Sequence, residues 1–154
     1  MPSTHYVGKA GHLALMGEIC VRGYNVSMPE IDKGDDIFVV NDATGAMWRV
    51  QAKTSLGAQQ KKSRRFQFRV RTNQFTTAQT PDLHFAFIMR KNRRWFFLMM
   101  DRAVLRNYVR NQQMGTASGL YTQFTMVLHD DDRCTCSGIE VQNHIGGWNT
   151  WPRL

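Results

Sequence analysis

The sequence predicts a mixed α/β domain. Three observations carry that class: an N-terminal stretch with apolar residues at helical spacing, a series of apolar runs with a period of two, and a late capped helix followed by a further strand. From about Tyr6 to Arg22, Leu13, Met16, Gly17 and Cys20 recur at helical spacing, and Gly23 stops the helix. "YNVSM" is a short strand ended by Pro29. Gly34 to Ser55, "GDDIFVVNDATGAMWRVQAKTS", is a hairpin turning at "NDATGA". In "KKSRRFQFRVR", Phe66, Phe68 and Val70 take one face, while Arg65, Gln67, Arg69 and Arg71 take the other. "LHFAFIMR" reads as a buried strand paired across "KNR" with "RWFFLMM". Asp101 caps a helix running to about Gln112, with Val104, Leu105, Tyr108 and Val109 inward. "LYTQFTMVLH" is a late strand, "DDDRCTCSG" a solvated loop, and the Trp148/Trp151 tail is expected to pack back.

At 154 residues and 42% hydrophobic content the chain suits one domain, 1–154, with its core at about 6–112 and a C-terminal strand and tail at 118–154. No linker, repeat or low-complexity segment divides it. The formal charge of +8 points to a polyanion, nucleic acid ahead of an acidic membrane surface. "HLALMGEIC" is interrupted by Gly17 and Glu18, so neither a signal peptide nor a membrane span is expected, and a reducing cytoplasmic setting follows. Cys20, Cys134 and Cys136 make an odd count at spacings that imply no disulfide framework. Cys134-x-Cys136 also lacks the spacing of a zinc knuckle. "SLGAQQKKS" has a single glycine and no phosphate-loop spacing.

The basic residues cluster. Lys61, Lys62, Arg64, Arg65, Arg69 and Arg71 crowd one strand and its approach. Arg90, Lys91, Arg93 and Arg94 fill a hairpin turn, and Arg102, Arg106 and Arg110 form an i, i+4, i+8 stripe. Three such groups in one small domain favour phosphate contact, and Arg64, Arg65, Arg69 and Arg71 are the expected nucleic-acid-binding residues.

The hairpin holds the candidate chemistry. Gln51 and Lys53 share a strand face, while Val50 and Ala52 point the other way. A two-residue loop at Ala43–Thr44 sets Asp36 opposite Gln51; a four-residue loop from Ala43 to Ala46 sets it opposite Lys53. Either register gathers Asp36, Gln51 and Lys53 on one face. A carboxylate and an amide oxygen are hard donors suited to Mg²⁺, and a neighbouring lysine can orient a nucleophile and offset developing charge. The same spacing also describes an ordinary solvent-facing strand edge with a lysine–aspartate contact.

The run from Gly8 to Ser55 resembles the PD-(D/E)XK nuclease superfamily, which includes Holliday-junction resolvases, restriction enzymes and small homing endonucleases. A glycine-bearing helix ending at "RGYNV", the aspartate at the mouth of the strand in "PEIDKGDDIFVV", and "VQAKTS" after the hairpin carry the likeness. The resemblance implies a restriction-endonuclease-like αβββαβ core, a mixed sheet flanked by helices. It implies a Mg²⁺- or Mn²⁺-dependent endonuclease acting on DNA. Asp36 matches the metal-binding aspartate, Gln51 the second and usually acidic ligand, and Lys53 the catalytic lysine. The backbone carbonyl of Ala52 would be a further metal ligand. Two positions depart from the pattern. Gln51 removes one negative charge from the metal site, and His12 stands where many members carry a helix glutamate. A histidine there could position a water or contact phosphate as an accessory residue, although it is a poor Mg²⁺ ligand; it also reads as an ordinary half-buried helix histidine. Asp32 is read as an accessory, turn-forming residue, Asp35 as the solvent-facing neighbour of Asp36, and Glu18 as an i, i+4 partner of Arg22. Cutting both strands of a duplex would call for two sites, hence a homodimer by symmetry. The alternative is a nucleic-acid-binding protein on the same fold, its catalysis weakened by Gln51 and His12.

Overall fold

The computed structural model describes residues 2–148. Helix α1 (Thr4–Val21) precedes strands β1 (Asn25–Ser27), β2 (Ile37–Val40), β3 (Met47–Ser55), β4 (Ala58–Gln59) and β5 (Ser63–Arg71). Short helix α2 (Thr72–Thr76), β6 (Leu83–Lys91), β7 (Arg94–Asp101) and α3 (Arg102–Gln112) follow. The chain continues through β8 (Thr116–Ser118), β9 (Tyr121–His129), β10 (Cys134–Cys136) and β11 (Ile139–Glu140) to a 3₁₀ turn at Gln142–His144.

The strands form two sheets. The first has the order β1-β2-β3-β6-β7, and the second runs β11-β10-β9-β5-β4 with β8 beside β9. The first sheet is mixed, because β3 and β6 run parallel while its other neighbours are antiparallel. Parallel neighbours need a crossover, and β4, β5 and α2 supply it. On that crossover β5 leaves the hairpin's sheet and pairs with β9 along its whole length. This is the expected mixed α/β class, with a mixed sheet and helices. The connecting helix before β6 is the five-residue α2, which the polar "TNQFT" conceals, and the predicted helix at Asp101 comes after β7 instead.

The first sheet is buried on both faces. Ile37, Val39, Trp48, Val50, Ala52, Ala86 and Ile88 meet α1, whereas Phe85, Phe87 and Leu98 meet Phe66, Phe68, Val70 and Phe124 of the second sheet. Helix α1 does not use Leu13 and Cys20 for this, since both are exposed. Its buried stripe is Gly11, Leu15 and Ile19. A Cβ at Gly11 would lie 2.1 Å from Thr54 Oγ1, so the glycine lets the helix sit directly on β3. At α3, the Asp101 carboxylate accepts from the Val104 N–H at 2.7 Å, a cap that contributes about 1 kcal/mol.

The C-terminal region corrects one expectation. Asp130–Arg133 turns in solvent, but Cys134–Cys136 is a strand paired with β9, and both thiols are fully buried. Burial pushes Cys134 up to about 12 and Cys136 to about 11, so they behave as small apolar side chains. Trp148 packs on Phe97 at 6.0 Å between ring centroids and lies 4.4 Å beneath the Arg22 guanidinium. Trp151 falls outside the described residues. Among the described residues no helix is long and apolar enough to cross a membrane.

Candidate active site

The hairpin register places the site. Ile37 lies opposite Val50 and Val40 opposite Met47, which carries Asp36 toward Gln51. The loop is nevertheless four residues, Asp42 to Gly45, closed by the Asn41 N–H donating to the Ala46 carbonyl at 2.9 Å. Asn41 sets this start: its Oδ1 accepts from the N–H groups of Ala43 and Thr44 at 3.0 and 3.2 Å. Gly45 supplies the positive φ of 73° that the turn requires.

Strand β2 begins at Ile37, whereas β3 runs on to Ser55, so the outer edge of β3 loses its ladder partner at Ala52. Both backbone groups of Ala52 find side chains instead. Its N–H donates to Asp36 Oδ2 at 2.8 Å, and its carbonyl lies 3.3 Å from His12 Nε2. The same imidazole nitrogen lies 3.9 Å from Asp36 Oδ2. One end of a strand thus collects a carboxylate, a carbonyl and an imidazole, the last delivered by the close approach of α1 at Gly11.

Gln51 is 3% exposed and fully engaged. Its Nε2 donates to Asp36 Oδ2, and its Oε1 accepts from Gln74 Nε2 at 2.9 Å. Gln74 Nε2 also donates to the Gly34 carbonyl at 3.1 Å. This relay fixes the direction of the Gln51 amide, with its NH₂ toward the carboxylate. Lys53 is on the same strand face and makes no hydrogen bond or ion pair among the described residues. Burial pushes the Asp36 carboxyl above the usual range; the Ala52 N–H, His12 and Lys53 pull it back, and Asp32 adds to the rise. Gln51 and Lys53 open into a cleft of about 570 Å³ that is also lined by Arg69, Arg71 and Tyr121.

The Asp36 carboxylate and the Ala52 carbonyl are hard donors that suit a divalent cation, His12 adds an imidazole nitrogen, and Gln51 would offer its oxygen only by turning its amide away from Gln74. Among the described residues no group of three or more His, Cys, Asp or Glu is placed to hold a metal ion, so such a cation would rest chiefly on neutral donors.

No family model matches this chain, and no curated protein does. Among solved structures, that of the bacterial homing endonuclease I-Ssp6803I superposes with a TM-score of 0.61 at 17% identity, over 97% of this chain and 91% of that one. The likeness is one of fold. It spans the hairpin, the crossover and the second sheet together, so the nuclease-like architecture extends well beyond Gly8–Ser55.

Several side chains stand elsewhere than the sequence suggests. Asp35 is not solvent-facing: it is 4% exposed and paired with Arg49 Nε at 3.0 Å. Asp32 is exposed, and its Oδ1 accepts from the Gly34 N–H at 2.8 Å, which makes it a turn residue in the cleft wall. Arg69 and Arg71 lie over the Tyr121 ring at 4.2 and 5.8 Å, and Arg65 shares their strand face. Arg64 turns to the other face and donates to the Leu56 and Gly57 carbonyls, so it holds a loop. Lys91 is buried, with Nζ donating to the His129 carbonyl at 2.6 Å and pairing with Asp130 at 3.0 Å. Arg102 is buried against Asp82 at 2.7 Å, which removes it from the helix stripe. Glu18 and Arg22 do pair, at 2.6 Å. Gln74 joins the candidate site unannounced by the sequence; its one signal is a polar side chain three residues beyond Arg71.

Proposed function

We propose that this chain is a metal-dependent endonuclease of the PD-(D/E)XK type that hydrolyses DNA phosphodiester bonds with Mg²⁺ or Mn²⁺. The observation that carries the reading is that Asp36 meets the Gln51 amide and the Ala52 N–H at one end of β3, while Gln51 and Lys53 line a cleft shared with Arg69 and Arg71. The shared fold with a homing endonuclease supports it. Asp36 and the Ala52 carbonyl would hold the cation, and Gln51 would turn its amide oxygen inward as the neutral second ligand. When bound, the cation acidifies a water and neutralises phosphate charge. Lys53 orients the attacking water and offsets the charge that builds on the phosphate as the new P–O bond forms and the ester P–O bond breaks. Arg65, Arg69 and Arg71 grip the backbone of the nucleic acid. Two-strand cutting would bring two such sites together in a homodimer.

The test is nicking of plasmid and branched DNA with Mg²⁺ or Mn²⁺ by wild type and by Lys53→Ala. Cleavage by the first and a loss of at least ~100-fold in the second is expected. Cleavage that survives Lys53→Ala places the chemistry elsewhere. One observation favours a second reading, a binding protein with little catalysis: the Gln51 NH₂ already satisfies Asp36, where a second carboxylate would demand a cation. Salt-dependent DNA binding without metal-dependent nicking would decide for it.

A further inference from the structure

We infer that His12 is a metal ligand, and that this site therefore takes divalent transition-metal cations such as Mn²⁺ and Co²⁺ in preference to Mg²⁺. The inference rests on the metal-site reading above and adds the class of ion to it. His12 Nε2 lies 3.3 Å from the Ala52 carbonyl and 3.9 Å from Asp36 Oδ2. Donors in adjacent positions around an ion with bonds of about 2.1 Å stand roughly 3 Å apart. The imidazole nitrogen is thus set toward both oxygens at a spacing that one bound cation would draw together. As a plain hydrogen bond, 3.3 Å is long for N–H···O.

The position of His12 argues against a phosphate-gripping role. It reaches the site from the α1 side of β3, and like Asp36 it is not among the residues that line the cleft with Lys53, Arg69 and Arg71. Nor is its position loose. Gly11, the preceding residue, is wedged against Thr54, so the ring is carried by a helix seated on the same strand that presents Ala52. The side chain keeps 20% exposure, enough for an ion to reach it.

The ion class follows from the donors. Mg²⁺ asks for oxygen ligands and gains most from carboxylates, and here one carboxylate is available with a neutral amide beside it. An imidazole nitrogen adds little for Mg²⁺ but raises affinity for Mn²⁺, Co²⁺ and the later metals. His12 and Gln51 therefore act together: the amide lowers the charge that holds Mg²⁺, and the imidazole supplies a donor that favours softer ions.

The experiment uses the full chain and Mn²⁺ alone. Titration followed by electron paramagnetic resonance gives the affinity, and pulsed measurement on the bound ion reads coupling to a directly bonded nitrogen. The expected result is one Mn²⁺ per chain with imidazole coupling, which changes to the ¹⁵N pattern when the protein carries ¹⁵N-histidine. His12→Gln should keep its fold, lose that coupling and bind Mn²⁺ about tenfold more weakly, whereas His12→Glu should narrow the Mn²⁺/Mg²⁺ affinity ratio by about tenfold or more. Bound Mn²⁺ that depends on Asp36, tested with Asp36→Asn, but shows no histidine coupling overturns the inference and leaves the site reading intact. No Mn²⁺ binding by the wild type overturns the site reading, and the inference with it.

Discussion

At the scale of single residues, the amide at position 51 decides how the metal-free protein rests. Its NH₂ donates to Asp36 while its oxygen is held by Gln74, so the buried amide and the half-buried carboxylate satisfy each other. Gln51→Glu sets a second carboxylate beside one already pushed toward its neutral form by burial. Without metal that variant should melt lower than wild type. With millimolar Mg²⁺ its melting temperature should rise more, the added charge contributing about 1–3 kcal/mol to cation binding. Paired melts in chelator and in Mg²⁺ check this, and a rise in neither protein would remove the hairpin as a metal site. Gly11 is the other decisive residue. Gly11→Ala would drive a methyl into Thr54, which should destabilise the fold by roughly 1–3 kcal/mol as an overpacked contact. Chemical denaturation reads the loss, and an unchanged midpoint would show that α1 does not depend on close approach here.

At the scale of elements, the crossover between β3 and β6 is what places Gln74, and Arg102 holds the crossover shut. From the first turn of α3 its Nε reaches Asp82 Oδ1 and Oδ2 at 2.7 and 3.0 Å, and its Nη1 reaches the Phe75 carbonyl at the end of α2 at 3.4 Å. Burial works against ionisation of Asp82, but the Arg102 guanidinium and the N–H groups of Gln79 and Leu83 outweigh it and hold the carboxyl below 3.8. A carboxyl lowered in the folded state contributes stability that is present above 3.8 and is lost as pH falls through the lower folded value. Stability measured down the acid limb should therefore fall less steeply in Asp82→Asn than in wild type. Asp82 keeps 40% of its side chain exposed, so the difference should be modest. Equal slopes would show that Arg102 is held by its backbone contact alone.

At the scale of the whole molecule, the charge of +8 matters through where it is spent. Lys91, Arg102 and Arg64 are engaged in internal contacts, and Arg49 is paired with Asp35. The outward face of β5 keeps Arg65, Arg69 and Arg71, two of them beside Lys53 in the cleft. If these grip phosphates, replacing all three by Gln should flatten the dependence of log affinity on log salt by up to about 2.7 on duplex DNA, at about 0.9 per contact. Arg64→Gln should leave that slope unchanged while lowering stability, since it holds the Leu56–Gly57 loop. A slope that responds to Arg64 and not to the other three would place the nucleic-acid face on the opposite side of β5.

The sequence by itself determined the longer elements, though not α2 or β10, and one side of the site. Local signals suffice for these: Phe66, Phe68 and Val70 alternate against their arginines, Asp101 sits one residue before α3, and the spacing of Asp36, Gln51 and Lys53 follows from strand periodicity in either loop register. The loop register was decided locally, by the Asn41 side chain at the head of the turn, whereas tertiary structure decided what depends on distant partners. It decided that β5 crosses to a second sheet, that Leu15 and Ile19 rather than Leu13 and Cys20 bury α1, and that Asp35, Lys91 and Arg102 lie inside. These are choices between partners far apart in the chain, such as Gly11 with Thr54, Gln51 with Gln74 and Asp82 with Arg102. Periodicity says which face a residue shares but not what that face meets. The candidate site lies at that boundary: strand spacing gathers its acid, amide and lysine, and only the fold brings His12 and Gln74 to them.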